Sequence, residues 1–155
     1  MKVDLGTAPG APPDFDFYVD MTAAPDVPEA KMVVANLTLA PWPFDDNSVS
    51  FFRAHDIIEH LPNKISTMNE MWRCLKPNGL VEIVVPTTDG PGAFMDPTHV
   101  SFWHERSFFY YEAGNPYRER FARNYGITAA FKVLTKVTER TQDGPKLTIV
   151  LKAVK

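Results

Sequence analysis

The stretch VSFFRAHDIIEHLPNKISTMNEMWRCLKPNGLVEIVVP, residues 49–86, changes its hydrophobic period twice. Its first part is rich in apolar and aromatic residues, which predicts a strand over Val49–His55. From Asn63, a residue suited to capping a helix, apolar residues recur at spacings of three and four, which predicts an amphipathic helix. The segment KPNG ends that helix, because proline cannot continue it. Residues 80–86 are apolar almost without interruption, as is typical of a central strand covered on both faces.

Strand-like segments flank this unit on both sides. Residues 2–6, 15–20 and 31–37 are predicted strands, and prolines forbid a regular helix between the first two. After a long Gly/Pro-rich loop, ERSFFYYEAG is a second helix candidate that ends at Gly114. Two alternating segments then flank Asp143-Gly144, a hairpin signal. We therefore predict an α/β sheet, mostly parallel, with an antiparallel pair of C-terminal strands.

Length and composition narrow the class of protein. The chain has 155 residues, which predicts a single domain over residues 1–155. Its formal net charge of −3 argues against nucleic-acid binding, which favours a basic face. Cys74 is the only cysteine, so a cytoplasmic setting without disulfides is expected. No apolar run approaches the ~20 residues of a membrane span, and no signal-peptide pattern opens the chain.

The segment HDIIEH, residues 55–60, places two histidines and two acids between the predicted strand and helix. A metal site, a pair of acid/base catalysts, the mouth of a cofactor pocket or a solvated helix start would each explain it. At helical spacing, Asp56 would face His60 and His55 would face Glu59.

The metal interpretation requires a recognised ligand spacing. The inverted zinc motif is His-x-x-Glu-His, and this segment is one residue longer. His99 and His104 could add ligands from the long loop, but their spacing on a loop predicts nothing by itself. The sequence therefore predicts no metal.

Several segments follow one another in a characteristic order: VDLG, VD at 19–20, ANL, PWPFDDNSVSFFRAHDIIEHLPN, EMWRCLKPNGLVEIVVP and DPTHVSFW. As an ordered set they resemble small class I S-adenosylmethionine-dependent methyltransferases of the type 11 kind. The similarity extends over most of residues 2–103. It implies a compact Rossmann-like sheet with a shortened N-terminal part, S-adenosylmethionine as the cofactor, and methyl transfer to an acceptor.

The resemblance also implies a set of cofactor contacts, because ligands of doubly wound sheets lie at the carboxyl ends of the strands. Gly6 would let the backbone approach the methionine part, and Asp20 would accept the ribose hydroxyls. Asn36 would bind the adenine edge, and Met21 and Leu37 would sandwich the purine. His55 would lie beside the sulfur. The predicted contacts are Gly6, Asp20, Met21, Asn36, Leu37 and His55.

The acceptor side is expected in the DPTHVSFW loop, which follows the fifth strand. His60 and His99 are the candidate acid/base catalysts, needed only where the acceptor must lose a proton. Trp42 and Trp103 would help to shape this pocket. The acceptor, a small molecule or a protein surface, is not identified by the sequence. Aromatic residues around 108–111, if exposed, could form the face of a homodimer.

Two features depart from the family pattern. The turn after the first strand is GTAPG, with Gly6 kept but no Gly-x-Gly, and a proline-rich link replaces the usual first helix. The third strand ends in Asn36 instead of an aspartate. The altered turn and the missing first helix motivate an alternative, a methyltransferase-like binding or scaffolding protein without turnover. A nicotinamide-dependent oxidoreductase is disfavoured, because the prolines exclude a Gly-x-Gly-x-x-Gly turn that opens a helix.

Overall fold

The computed structural model describes residues 1–7 and 12–155, and in this part of the chain seven strands form a single sheet. The strands are β1 (Lys2–Leu5), β2 (Phe17–Asp20), β3 (Met32–Val34), β4 (Val49–His55), β5 (Leu75–Pro86), β6 (Phe131–Thr141) and β7 (Gly144–Ala153). Their order is β3-β2-β1-β4-β5-β7-β6. The first five are parallel, and β7 runs antiparallel to both β5 and β6. The predicted fold class is therefore confirmed.

Helix α1 (Lys64–Cys74) connects β4 to β5. Asn63 caps it as predicted, since its side chain accepts a hydrogen bond of 3.0 Å from the Ser66 amide. The helix ends at Cys74, before the KPNG segment rather than within it. That segment instead lies inside β5, where Asn78 has a φ of 63° and the pairing with β4 shifts register.

The two faces of the sheet are covered unequally. On one face, alternate residues of β5 are fully buried, namely Val81, Ile83 and Val85. They belong to one core with the apolar side of α1. On the other face, the side chains between them are only half-buried. The prediction that residues 80–86 are covered on both faces is therefore wrong.

The reason for the half-open face lies in the connections between the first four strands. No α-helix occurs among the described residues that precede α1. The proline-rich link between β1 and β2 does contribute Phe15, which is buried against Tyr18 and Phe51. Residues 8–11 of this link lie outside the described residues, and with them most of the GTAPG turn.

A second helix, α2 (Pro116–Tyr125), was not expected from the sequence. Asn115 caps its start, Pro116 takes the first helical position, and Gly126 ends it with a φ of 72°. The helix expected just before it is instead a 3-10 turn over Glu105–Tyr110. Neither α-helix in the described part of the chain is long and apolar enough to cross a bilayer.

The aromatic residues at 108–111 are packed rather than exposed. Phe108 and Tyr111 are buried. The neighbouring rings pack on α2, where Phe109 contacts Tyr117 and Tyr110 stacks on Tyr125. The suggestion of an exposed aromatic dimer face is therefore wrong in its premise, because these rings attach α2 to the body of the protein.

Candidate functional site

A small cleft lies where β1, β2 and β3 end. Its volume is about 120 Å³. We call it the strand-end cleft, and it is lined by five of the six predicted cofactor contacts together with His60: Gly6, Asp20, Met21, Asn36, Leu37 and His60. The structure brings these residues together because carboxyl ends of neighbouring parallel strands meet at one edge of the sheet.

Gly6 is required by two features of the turn after β1. Its φ is +70°, a conformation that side chains rarely adopt. A Cβ atom at this position would also lie 2.7 Å from the Cβ of Ile57. The Gly6 amide donates to the Val19 carbonyl at 2.9 Å, which extends the pairing of β1 and β2 into the turn. The floor of the cleft is therefore backbone, closely packed against Ile57.

Asp20 and Asn36 supply the polar side chains of the cleft. One carboxylate oxygen of Asp20 accepts from the Thr22 amide at 3.2 Å. The carbonyl oxygen of Asn36 accepts from both the amide and the hydroxyl of Thr38, at 3.0 and 2.7 Å. Those two bonds use both lone pairs of that oxygen. Asn36 therefore offers a ligand mainly the N–H donors of its amide.

The two apolar residues of the cleft differ in exposure. Leu37 is buried, and its carbonyl accepts from the indole N–H of Trp42 at 3.0 Å. Met21 is 64% exposed at the rim. The cleft thus has one fixed apolar wall and one accessible one.

His55 is the predicted contact that the structure does not bring to the cleft. It shares the half-open face of the sheet with Arg53, because side chains two residues apart on a strand point the same way. Its Nε2 lies 2.7 Å from Glu82 Oε1. Beside it, Arg53 donates to Asp4 at 2.9 Å, and burial raises the pKa of Asp4 against the opposing effect of Arg53.

A larger cavity of about 510 Å³ adjoins the cleft. We call it the loop-side cavity, since loops and the β6–β7 turn supply most of its lining. Its ionisable residues are Asp56, Glu59, His60, Asp96, His99, Asp143 and Lys146. His60 lines both the cavity and the strand-end cleft, so the two spaces share one side chain.

Three of these side chains converge: Glu59, His60 and His99 each present one ligand atom within 4.8 Å of the others. The rings of His60 and His99 pack edge to face at 4.8 Å between centroids. His99 Nε2 lies 4.0 Å from Glu59 Oε1 and 3.9 Å from Asp96 Oδ2. In the sequence, Glu59 and His60 are metal-ligand candidates within HDIIEH and His99 is a possible addition from the long loop, but their spacing predicts no metal site.

Glu59 is only 2% exposed. Burial raises its pKa to about 7, and the nearby carboxylates of Asp56 and Asp96 push in the same direction. Its Oε2 has no hydrogen-bond partner among the residues that the structure describes, 1–7 and 12–155. A buried carboxyl group with a free oxygen therefore faces this cavity.

Backbone contacts hold the loop against the HDIIEH segment. The Glu59 carbonyl accepts from the amides of Val100 and Ser101, both at 2.9 Å. The Ser101 hydroxyl donates to the Ile58 carbonyl at 2.8 Å. These bonds join segments that are far apart in the chain. The local sequence pattern of either segment therefore does not predict them.

The HDIIEH segment itself is not helical at its start. Asp56 has a φ of 49°, and a 3-10 turn covers only Ile58–His60. Asp56 therefore does not face His60, and it forms an ion pair of 2.7 Å with Lys146. The expected helical pairing of the acids and histidines is wrong, because the chain turns before α1 begins.

The two tryptophans proposed for the acceptor pocket lie in the core instead. Trp42 is buried edge-on against Phe52. Trp103 is fully buried, stacks on Phe108, and donates from its indole nitrogen to Ser101 at 3.0 Å. Trp103 supports the loop from beneath and does not line the loop-side cavity.

Comparison with known proteins agrees with this architecture. A family model described as a methyltransferase domain matches residues 14–83. That range runs from the link before β2 into β5 and includes most of the strand-end cleft. No curated protein sequence matches the chain.

Solved structures give the same fold across the chain. A Haloferax volcanii protein in complex with the Trm112 methyltransferase activator is 17% identical, with a TM-score of 0.63 over 99% of this chain and 82% of its own. A 1,6-didemethyltoxoflavin-N1-methyltransferase of Burkholderia thailandensis, which holds S-adenosylhomocysteine, is 12% identical, with a TM-score of 0.64 over 99% and 71%. A SAM-dependent methyltransferase of Methanosarcina mazei is 14% identical, with a TM-score of 0.57 over 99% and 92%.

The resemblance to class I S-adenosylmethionine-dependent methyltransferases is thereby confirmed, by the family model over part of the chain and by the fold over nearly all of it. S-adenosylmethionine is the cofactor of this group of proteins, as the resemblance implied.

Proposed function

We propose that the chain transfers a methyl group from S-adenosylmethionine, bound in the strand-end cleft, to an acceptor in the loop-side cavity. The observation that carries this proposal is the convergence of Gly6, Asp20, Met21, Asn36 and Leu37 at the ends of three parallel strands. The adjoining cavity shares His60 with the cleft, so a bound acceptor would lie next to the cofactor.

The residues of the cleft match the cofactor in chemistry. Asp20 offers carboxylate oxygens to the ribose hydroxyls, and the Asn36 amide offers donors to the ring nitrogens of adenine. Met21 and Leu37 offer apolar surface to the faces of the purine. Gly6 presents backbone, and no side chain, to the cleft.

S-adenosylmethionine supplies a methyl group on a positively charged sulfur, ready for direct displacement. The protein then contributes mainly by holding the two reactants in line, which is worth several kcal/mol of the barrier. Where the acceptor must also lose a proton, His60 and His99 are our proposed bases. Each has Nδ1 next to a backbone carbonyl, of Thr98 and Ala93 respectively, which leaves Nε2 to accept a proton.

A second candidate function is a methyltransferase-like binding or scaffolding protein without turnover. It is favoured by the volume of the cleft, about 120 Å³, since pockets for small molecules usually measure about 300–1,000 Å³. The described residues after β1 also lack the helix whose N-terminus would bind the carboxylate of the cofactor.

Thermal unfolding with S-adenosylmethionine and with its demethylated product separates the two functions. At a ligand concentration a hundred times the dissociation constant, linkage gives about 2.7 kcal/mol of stabilisation. For a domain of this size we expect Tm to rise by roughly 5–10 °C. Absence of a shift at millimolar ligand would leave the binding or scaffolding function as the better account.

The acceptor, small molecule or protein, stays open, and a screen should monitor release of S-adenosylhomocysteine. The Haloferax neighbour is described with an activator protein, which supports testing this chain with a co-purifying protein as well as alone. Cytoplasmic localisation stays a prediction from the sequence.

A further inference from the structure

We propose that Glu59, His60 and His99 bind one divalent transition-metal ion, of the kind represented by Zn²⁺, at the wall that separates the two cavities. The inference stands on these three side chains and does not depend on cofactor binding. A ring nitrogen that binds the ion cannot also accept a proton, so His60 and His99 would act as bases only in the metal-free protein. It also goes beyond the sequence, because a search for a zinc-binding helix cannot find ligands divided between a 3-10 turn and a distant loop.

The first argument is the distance between the ligand atoms. All three lie within 4.8 Å of one another. Bonds from zinc to histidine nitrogen and carboxylate oxygen are about 2.0–2.2 Å long, which places neighbouring ligand atoms roughly 3–3.5 Å apart. Rotations that move each atom by about 1 Å therefore suffice to close the site.

The second argument is the buried carboxyl group of Glu59. Its Oε2 lacks a partner in the described part of the chain, although the residue is almost wholly buried. Leaving a carboxylate buried and unpaired is costly, so buried charges are usually paired or coordinate metals. Among the described residues, Lys146 is the lysine that lines the cavity, and it is already bonded to Asp56 at 2.7 Å. A cation between Glu59 and the histidines would meet that need.

The third argument is the support of each imidazole ring. His99 donates from Nδ1 to the Ala93 carbonyl at 3.2 Å, and His60 does so to the Thr98 carbonyl at 3.2 Å. In metal sites the second nitrogen of a ligating histidine is typically held by a carbonyl or carboxylate in this way. His99 therefore presents Nε2 to the site as an acceptor, 4.0 Å from Glu59 Oε1.

Asp96 extends the ligand set. Its Oδ1 accepts from the Thr98 amide and hydroxyl, at 2.8 and 2.6 Å, which fixes the carboxylate. Its Oδ2 lies 3.9 Å from His99 Nε2, within reach of a fourth ligand position or of a water bound to the ion. Two imidazoles with carboxylates favour zinc, iron, manganese or cobalt over magnesium and calcium.

The test uses the full chain after treatment with EDTA and dialysis, with no S-adenosylmethionine present. Zn²⁺, Co²⁺, Mg²⁺ and Ca²⁺ are titrated in turn by calorimetry. We expect one Zn²⁺ per chain with a dissociation constant in the micromolar range or tighter, and at least tenfold weaker binding of Mg²⁺ and Ca²⁺. The absorption spectrum of the Co²⁺ form should show the bands of a nitrogen- and oxygen-ligated ion, which Zn²⁺ then displaces.

Matched variants locate the site. Glu59→Gln and His99→Asn should each weaken Zn²⁺ binding by 10- to 100-fold or more. Asp143→Asn and His104→Asn serve as controls, because one changes a carboxylate of the same cavity and the other a histidine outside the cluster. Both controls should bind Zn²⁺ as the unmodified chain does.

Two results would overturn the proposal. One is that the unmodified protein shows neither a Co²⁺ spectrum nor Zn²⁺ binding at millimolar metal concentration. This test does not require any variant to fold. The other is equal loss of binding in the cluster variants and the controls. Because cofactor is absent from the titration, neither result bears on the Tm shift that tests methyl transfer.

Discussion

The strand-end cleft and the loop-side cavity meet at His60 but are built on different principles. The cleft is formed where parallel strands stop, with backbone at Gly6, one carboxylate at Asp20 and apolar walls. The cavity is about four times larger, since its volume is about 510 Å³ against about 120 Å³. It gathers four carboxyl groups, two histidines and a lysine from separate segments.

Under the proposed function, this difference would separate recognition of the cofactor at the cleft from chemistry on the acceptor in the cavity. The edge of the sheet provides a cleft with a single carboxylate, Asp20, which would suit a cofactor of constant shape. The loops provide charged groups whose identity can change without disturbing the sheet. Substitutions on the two sides should therefore have separable effects.

The largest expected effect is on the cleft. Replacing Gly6 by Ala places a Cβ 2.7 Å from Ile57 at a φ of +70°. We expect the free energy of unfolding to fall by about 3 kcal/mol or more. Backbone strain in the left-handed region contributes ~1–2 kcal/mol, and overpacking contributes ~1–3 kcal/mol. Gly114→Ala is the matched control, since its φ is +80° but no atom lies within 4 Å of the added Cβ. Equal losses of unfolding free energy in urea would show that Ile57 does not confine the turn.

On the cavity side, the stability of the metal-free protein should depend on pH through Glu59. Its pKa rises from 4.5 to about 7 on folding, so the folded state holds a proton that the unfolded state has released between those values. Stability is therefore fully present below pH 4.5 and falls as pH rises toward 7, by at most about 3 kcal/mol.

Urea unfolding in EDTA from pH 4.5 to 7.5 measures this fall, and Glu59→Gln is the control. The glutamine variant does not titrate and should show a flatter profile. A profile that is as steep in the variant would assign the pH dependence to other groups.

A smaller effect is expected for the polar wall of the cleft. Asp20→Ala should weaken S-adenosylhomocysteine binding by about 1.5–3 kcal/mol, the scale of hydrogen bonds to a charged group. Asp20→Asn should lose less, because the amide keeps one acceptor. Calorimetry with both variants tests this, and an unchanged affinity in Asp20→Ala would remove the ribose contact from the proposal.

The smallest effect concerns two exposed methionines, one on each side of His60. Met21 is 64% exposed at the rim of the cleft, and Met95 is 62% exposed in the loop-side cavity. Met21→Ala should weaken cofactor binding by about 1 kcal/mol through lost apolar contact, whereas Met95→Ala should leave it unchanged. Similar losses from both would mean that the cofactor extends across the two spaces.

Local patterns predicted much of the fold. The strand Val49–His55 has the predicted bounds, and α1 follows directly on the predicted cap at Asn63, because alternation, period and capping are encoded within a few residues. Helix α2 was missed, although Asn115-Pro116 and Gly126 are start and stop signals. Because the residues between these two signals are mostly polar, they show no clear helical period of apolar residues that would predict one helix.

The candidate site was predictable only on its sheet side. Strand ends bring Gly6, Asp20 and Asn36 together by topology alone. His55 lies outside the cleft lining, because the alternation of its strand puts its side chain on the same face as Arg53. The contact of Glu59 with His99 follows from loop docking between distant segments, and hydrophobic period carries no information about that.

The bonds from Val100 and Ser101 to the Glu59 carbonyl bear on how the loop moves. The composition of this loop, which is rich in glycine and proline, is typical of a lid that opens freely. Its amides at these two positions are instead held by the residue whose carboxyl group faces the cavity. Hydrogen exchange there should be slow and should accelerate together with exchange at the 3-10 turn, as in one cooperative unit. Detachment of the loop would thus dismantle the cluster of Glu59, His60 and His99 in the same event, so an intact site is a readout of a docked loop.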